Sequence, residues 1–210
     1  MTMSVRLASI AAASLSLVLG LAWGAPVQAA SFGGRAVSAL VNLPGLGSDP
    51  IYIVDTGELA ADGGWEGAGL LSTNVPDVLT ADALVANTSG GLYDTGARAN
   101  SSTSLAGVSV FPGNAAQLTA SLIRAEVEVS ADGLLGSTEV RDLVFAGVPV
   151  TVTGQPNQKV EILGVGTLTI NAQSTVWAGS SQTLTVRALH LKLATGEEVV
   201  LSTASSTINW

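Results

Sequence analysis

Asp-Thr-Gly occurs twice in this chain, as Asp55-Thr56-Gly57 behind Ile51-Tyr52-Ile53-Val54 and as Asp94-Thr95-Gly96-Ala97 behind Leu92-Tyr93. Two such loops facing one another would let two carboxylates share a proton, the acid–base pair of aspartic proteolysis. The spacing speaks against it. Positions 55 and 94 lie too close in sequence for each loop to be carried by its own lobe. The same triplet also serves plain turns between strands, because Asp bonds its own backbone and Gly accepts positive φ. Asp55 and Asp94 are therefore expected in separate turns, with carboxylates too far apart to couple.

His190 is the single histidine. A Ser-His-Asp site would need it, yet no Gly-x-Ser-x-Gly elbow is present. One histidine also cannot build a histidine-rich metal centre. If residues 184–193 alternate as a strand, His190 shares a face with Val186, Ala188 and Lys192, opposite Arg187, Leu189 and Leu191. Glu126 and Glu128 fall on one strand face, and paired carboxylates hydrolyse glycosides. Sugar sites of that kind also use aromatic platforms, and only 4% of the chain is aromatic. Asp62 and Asp132 stand alone in Asp-Gly turns, without the alternating oxygen ligands of a calcium loop. No catalytic residue, cofactor site or metal site is expected, and the chain reads as no enzyme. A hydrolase centred on the Asp-Thr-Gly loops is the rival reading.

Thr-x-Thr recurs at Thr151/Thr153, Thr167/Thr169 and Thr183/Thr185. Threonine rows on a flat sheet are the pattern of an ice- or surface-binding face, although threonine is favoured in strands generally. Trp210 is the kind of terminal aromatic that outer-membrane barrels carry. Nine aromatic residues cannot form the girdles of such a barrel.

The elements that must position these residues follow a period of two. Residues 37–41, 117–129, 148–153, 167–170 and 184–193 read as strands rich in Val, Thr, Leu and Ile. Turn signals such as Asp62-Gly63-Gly64, Pro112-Gly113-Asn114 and Asp132-Gly133 separate them. The pattern predicts an all-β antiparallel sandwich, jelly-roll-like or similar, with at most one short helix over residues 77–86. Residues 63–69 read as a loop carrying Trp65. Leu79-Thr80-Ala81-Asp82-Ala83-Leu84-Val85-Ala86 echoes Leu118-Thr119-Ala120-Ser121-Leu122-Ile123-Arg124-Ala125, and Ser102-Thr103-Ser104-Leu105 echoes Ser137-Thr138-Glu139-Val140. The unequal offsets point to duplicated strands rather than a solenoid.

Arg6 and the amino group precede an apolar run over residues 7–19, helix breakers follow, and Val27-Gln28-Ala29 supplies a small-residue cleavage site. The run is too short to span a bilayer. Residues 1–29 thus read as a signal peptide and residues 30–210 as one exported domain, outside the cell, at its surface or in the periplasm. No later stretch is long and apolar enough to span a membrane. The net charge is −8, and removing Arg6 makes it −9, a sign that repels phosphate backbones and excludes nucleic acid as a partner. Zero cysteine excludes thiol chemistry and disulfides, so a core of Val, Leu, Ile and Ala must hold the domain.

Gly136-Ser137-Thr138-Glu139-Val140, Leu143, Gly147-Val148-Pro149-Val150, Gly164-Val165-Gly166-Thr167-Leu168-Thr169-Ile170-Asn171-Ala172-Gln173 and Arg187-Ala188-Leu189-His190-Leu191 resemble the choice-of-anchor P family of bacterial secreted proteins. The resemblance covers residues 34–206 and is concentrated in the second half. It implies export and a β-rich fold, and it brings no catalytic residue. This chain departs from relatives that pair cysteines, having none, and shows no sorting motif before Trp210. The expected role is structural, adhesive or matrix-forming at the bacterial envelope. Self-association or partner capture is expected through strand addition at residues 32–43, provided that stretch lies at a sheet edge.

Overall fold

The computed structural model describes residues 30–44 and 49–210, and every regular element among them is a β-strand. The signal peptide expected over residues 1–29 lies outside the described residues. The chain begins in one sheet with β1 (Ser31–Asn42) and β2 (Ile51–Asp55). It crosses to a second sheet for β3 (Gly64–Leu70), β4 (Thr73–Val75), β5 (Leu79–Ala81), β6 (Ala83–Tyr93) and β7 (Gly96–Val110). That sheet continues with β8 (Leu118–Ser130), β9 (Gly133–Arg141), β10 (Val144–Phe145) and β11 (Val148–Pro149). The first sheet is completed by β12 (Gln158–Ile162), β13 (Gly166–Ala178), β14 (Ser181–Leu193) and β15 (Glu198–Asn209).

The six-stranded sheet has the order β12-β13-β14-β15-β1-β2, so β1 lies beside the C-terminal strand. In the second, β5 and β6 flank β7 on one side, β8 lies on the other, and β9 and β10 follow β8. The connections are those of two meanders. β1 packs over β6 and β7, β15 over β7 and β8, and β14 over β8 and β9, an aligned sandwich that does not close into a barrel. The core between the sheets is aliphatic, with Leu84, Leu105, Ile123, Leu189, Leu201 and Phe145 at its centre.

Period two is interrupted once in most long strands, and the interruptions line up. In the six-stranded sheet Val54, Ser202 and Asn171 have φ of 53°, 59° and 52°. Each stands opposite Ser38 or Ala188, and these five residues drop out of the pairing in one row across β2, β1, β15, β14 and β13. Alternation skips one residue there. β14 buries Leu184 and Val186 before the row, Ala188 within it, then Leu189 and Leu191 after it. Such a bulge-like kink moves every later side chain to the other face. The second sheet carries its own row through Asp82, Gly107, Ser121 and Asp142, with φ of 59° at Gly107 and 53° at Asp142. A Cβ at Gly107 would overlap the Asp82 carboxylate, so both the backbone and the space require glycine there.

The sequence echoes acquire a meaning in this frame. Leu79 and Leu118 both pair with Val110, Ala83 and Leu122 with Ala106, and Ala86 and Ala125 with Thr103. The echoing segments therefore flank β7 in identical register, with the kink at the same level. Likewise Ser102 and Ser137 both face Glu126, and Leu105 and Val140 both face Ile123.

Two local expectations are corrected. Residues 77–86 form no helix but a turn, β5 and the start of β6. Pro76 followed by Asp77 at φ 61° closes the turn, with Val78 N–H donating to the Val75 carbonyl at 3.0 Å. The kink at Asp82 then separates buried Leu79 and Ala81 from buried Leu84 and Ala86. That spacing imitates helical periodicity. Residues 63–69, read as a loop, are largely β3, paired from Gly64↔Gly90 to Leu70↔Leu84. The Trp65 ring folds over the position a Cβ would take at Gly67, covering a glycine of this edge strand.

The interior also holds a layer of hydroxyls that an aliphatic core does not predict. Ser101 Oγ donates to the Ser205 carbonyl at 2.6 Å, accepts from Ser206 Oγ at 2.9 Å, and lies 2.8 Å from Thr88 Oγ1. Ser202 Oγ donates to the Thr103 carbonyl at 3.1 Å, and Ser38 Oγ to the Val85 carbonyl at 3.3 Å. These bonds tie the two sheets together, and each hydroxyl of this layer is satisfied, whereas the buried Thr138 hydroxyl on β9 has no partner.

Candidate functional site

The kink row places β14, β15, β1 and β2 so that their outward side chains form five transverse rows on the six-stranded sheet. From one end they are Thr183–Thr207–Gly33, Thr185–Ser205–Arg35 and Arg187–Thr203–Val37–Asp55. Beyond the kink come His190–Val200–Leu40–Tyr52 and Lys192–Glu198–Asn42. A groove of about 550 Å3 runs over these rows. Its volume falls in the range of small-molecule sites.

Thr183 and Thr207 hydroxyls lie 2.8 Å apart, and Thr185 and Ser205 hydroxyls 2.9 Å apart. Arg35 grips Asp55 with two N–H groups, at 2.9 and 2.5 Å, and its guanidinium stands 4.8 Å from the Tyr52 ring centre. The Arg35 hydrogen bonds, with a further one from Gly57 N–H at 2.9 Å, hold the Asp55 carboxyl below its ordinary range against the opposing effect of burial. Asp55 in turn raises Arg35. His190 Nε2 meets Glu198 Oε1 at 2.5 Å, with Lys192 Nζ 3.7 Å from the same oxygen. Arg187 has no carboxylate partner among the described residues.

The residues singled out from sequence are dispersed. Asp55 ends β2 and is engaged by Arg35, while Asp94 sits exposed in the β6–β7 turn of the other sheet. An ionised, doubly bonded carboxylate is not half of a proton-sharing pair. His190 lies on the outward face with Thr185 and Arg187, not with Val186 and Ala188, because the kink at Ala188 reverses the alternation. Glu126 pairs with Arg124, and Glu128 with Arg98 at 3.5 Å, both on the outer face of the second sheet. Asp62 and Asp132 are exposed in turns. Among the described residues no three His, Asp or Glu side chains cluster as metal ligands.

The Thr-x-Thr pairs do not form one face. Thr151 and Thr153 lie outside strands, where Gln158 binds both locally. Thr167 and Thr169 sit beside Lys192 and His190, at the opposite end of the rows from Thr183 and Thr185. Trp210 caps the sandwich end, its N–H donating to the Ser180 carbonyl at 3.2 Å.

The edge expectation is also corrected. β1 pairs with β15 along its length and with β2 over Val37–Val41, where Val37 meets Asp55 and Val41 meets Ile51. Its remaining flank is covered by the loop after β2, through Phe32 N–H to the Ala61 carbonyl, Leu59 N–H to the Gly34 carbonyl, and Thr56 N–H to the Ala36 carbonyl. Among the described residues, 32–41 therefore offer no free edge. A free edge lies instead on β13: β12 covers it only from Gly166 to Ile170, and beyond Gln173 no described residue bonds its outer side.

Fold and groove together define an open, two-sheet antiparallel sandwich with an outer concavity of mixed polar and apolar lining. No protein family, curated protein or solved structure matches the chain.

Proposed function

We propose that this is an exported, non-enzymatic β-domain with an adhesive or matrix role at the bacterial envelope, and that the groove on the six-stranded sheet is its ligand face. One observation carries the reading: rigid neighbouring strands present the Thr185, Ser205 and Thr207 hydroxyls, Arg187 with no carboxylate partner among the described residues, and apolar Val37, Leu40 and Val200 in one concavity. The leader-like residues 1–29 and the resemblance to choice-of-anchor P proteins support export. Intact mass of protein recovered outside the cytoplasm is expected to place the mature N-terminus at Ala30. Co-sedimentation with envelope polysaccharides is expected to retain the chain while leaving the polymer uncut. A mass that retains Met1, or shortening of the polymer, overturns the reading.

A second observation supports assembly by strand addition, with another copy of the chain as partner. Ser174-Thr175-Val176-Trp177-Ala178 is exposed, uncharged and unpaired on one side, with Trp177 63% exposed. Two such edges can meet antiparallel without like charges opposed, although the chain as a whole is acidic. Light scattering is expected to show dimers that Val176→Lys dissociates. A monomer at high concentration in the unsubstituted protein rules the assembly out.

A further inference from the structure

We infer that the groove takes a uronic-acid-bearing saccharide, with the Arg187 guanidinium receiving the carboxylate; this rests on the groove being the ligand face. Arg187 occupies the middle row of the groove, between Ala172 of β13 and Thr203 of β15. Its five N–H donors form a planar fork that matches a carboxylate, and no described side chain occupies it. The other cation of the groove, Arg35, is already held by Asp55.

The charges choose the valence of the ligand. Glu58 and Glu198 line the same groove, facing Arg35 and His190 respectively. With these carboxylates present, a dianion such as a phosphate monoester meets about twice the repulsion of a single carboxylate. The walls choose its body. In the pair Thr185–Ser205, both of which line the groove, one hydroxyl donates to the other, which leaves a second O–H and several lone pairs free, and Thr207 lines the groove beside them. A fatty acyl chain would bury these groups without partners, at a cost. A sugar ring satisfies them with its own hydroxyls, and its C–H face can lie on the floor made by Val37 and Val200.

The probes are methyl galactosiduronate, which carries one carboxylate, and its methyl ester, titrated calorimetrically into the chain over residues 30–210. The acid is expected to bind, and the ester to bind at least about tenfold more weakly. Arg187→Gln is expected to weaken the acid roughly 10- to 100-fold, the loss that follows removal of a charge-assisted hydrogen-bond pair, and to leave the ester unchanged. Arg187→Lys, which keeps charge but loses the fork, is expected to fall between. Arg124→Gln, on the other sheet, should match the unsubstituted chain. Equal binding of acid and ester, or full acid binding by Arg187→Gln, overturns the inference. Should neither probe bind while envelope polymers still retain the chain, the uronate assignment falls and the adhesive reading stands. Loss of both defeats both.

Discussion

Gly34→Val is expected to destabilise the domain by about 2–5 kcal/mol, the sum of overpacking and a broken interior hydrogen bond. Valine suits strands better than glycine, so propensity alone predicts the opposite sign. The interior decides. A Cβ at Gly34 would overlap Thr88 Oγ1 and stand 3.1 Å from Ser101 Oγ and 3.4 Å from the Ser205 carbonyl. The overlap falls on the Thr88 hydroxyl, which is held by Ser101 Oγ and the Asn100 carbonyl, and Ser101 is in turn fixed by its bond across the interior to the Ser205 carbonyl. Gly33→Val is the internal control, because its Cβ would meet only Thr207, on the outward face. Urea unfolding is expected to show a large drop in midpoint for Gly34→Val and a small change for Gly33→Val. Matching midpoints would show that the hydroxyl layer does not hold the sheets together.

Phe145→Ala is expected to cost about 3–5 kcal/mol. Phe145 is 0% exposed, yet it belongs to β10, a strand of only two residues. Few backbone bonds hold that segment: Ala146 N–H to the Gln117 carbonyl, Val150 N–H to the Leu143 carbonyl, and short pairings with β8 and β11. The ring is what joins the segment to the core. A thermal scan should show the midpoint lowered by roughly 6–20 °C at this chain length. Limited proteolysis should open the chain between Asp142 and Val150. A variant that keeps the unsubstituted midpoint but is clipped there would mean that β10 and β11 dock independently of the core.

The sandwich was legible because Leu, Val and Ile alternate clearly in β8 and β14. β7 and β15 were not, although both lie at the centre of their sheets. Their inward positions include Ser101, Thr103, Ser202 and Ser206, so alternation in hydrophobicity vanishes where the burial is greatest. Polar residues are normally evidence against an inward face, and only the partner hydroxyls across the interior reverse that inference. The kink rows hid more. A strand whose phase shifts by one residue shows neither clean alternation nor a true helical period, which is why residues 77–86 resembled a helix. The same shift at Ala188 put His190 beside Arg187, so the groove could not be assembled from residue spacing within β14 alone. Nothing local marks Ser202 or Asn171 as left-handed positions; their alignment appears only once strands far apart in sequence are paired.

The pairing of β1 with β15 joins Ser31 to Asn209 and Asn42 to Glu198, so the first strand of the domain completes its ladder with the last. During synthesis, β1 therefore lacks its longest partner until β15 has been made. Contacts of such sequence separation form slowly, because the whole intervening chain must be ordered for them to persist. For a chain exported as proposed above, the same delay would keep the nascent polypeptide from locking into its final shape before it crosses the membrane.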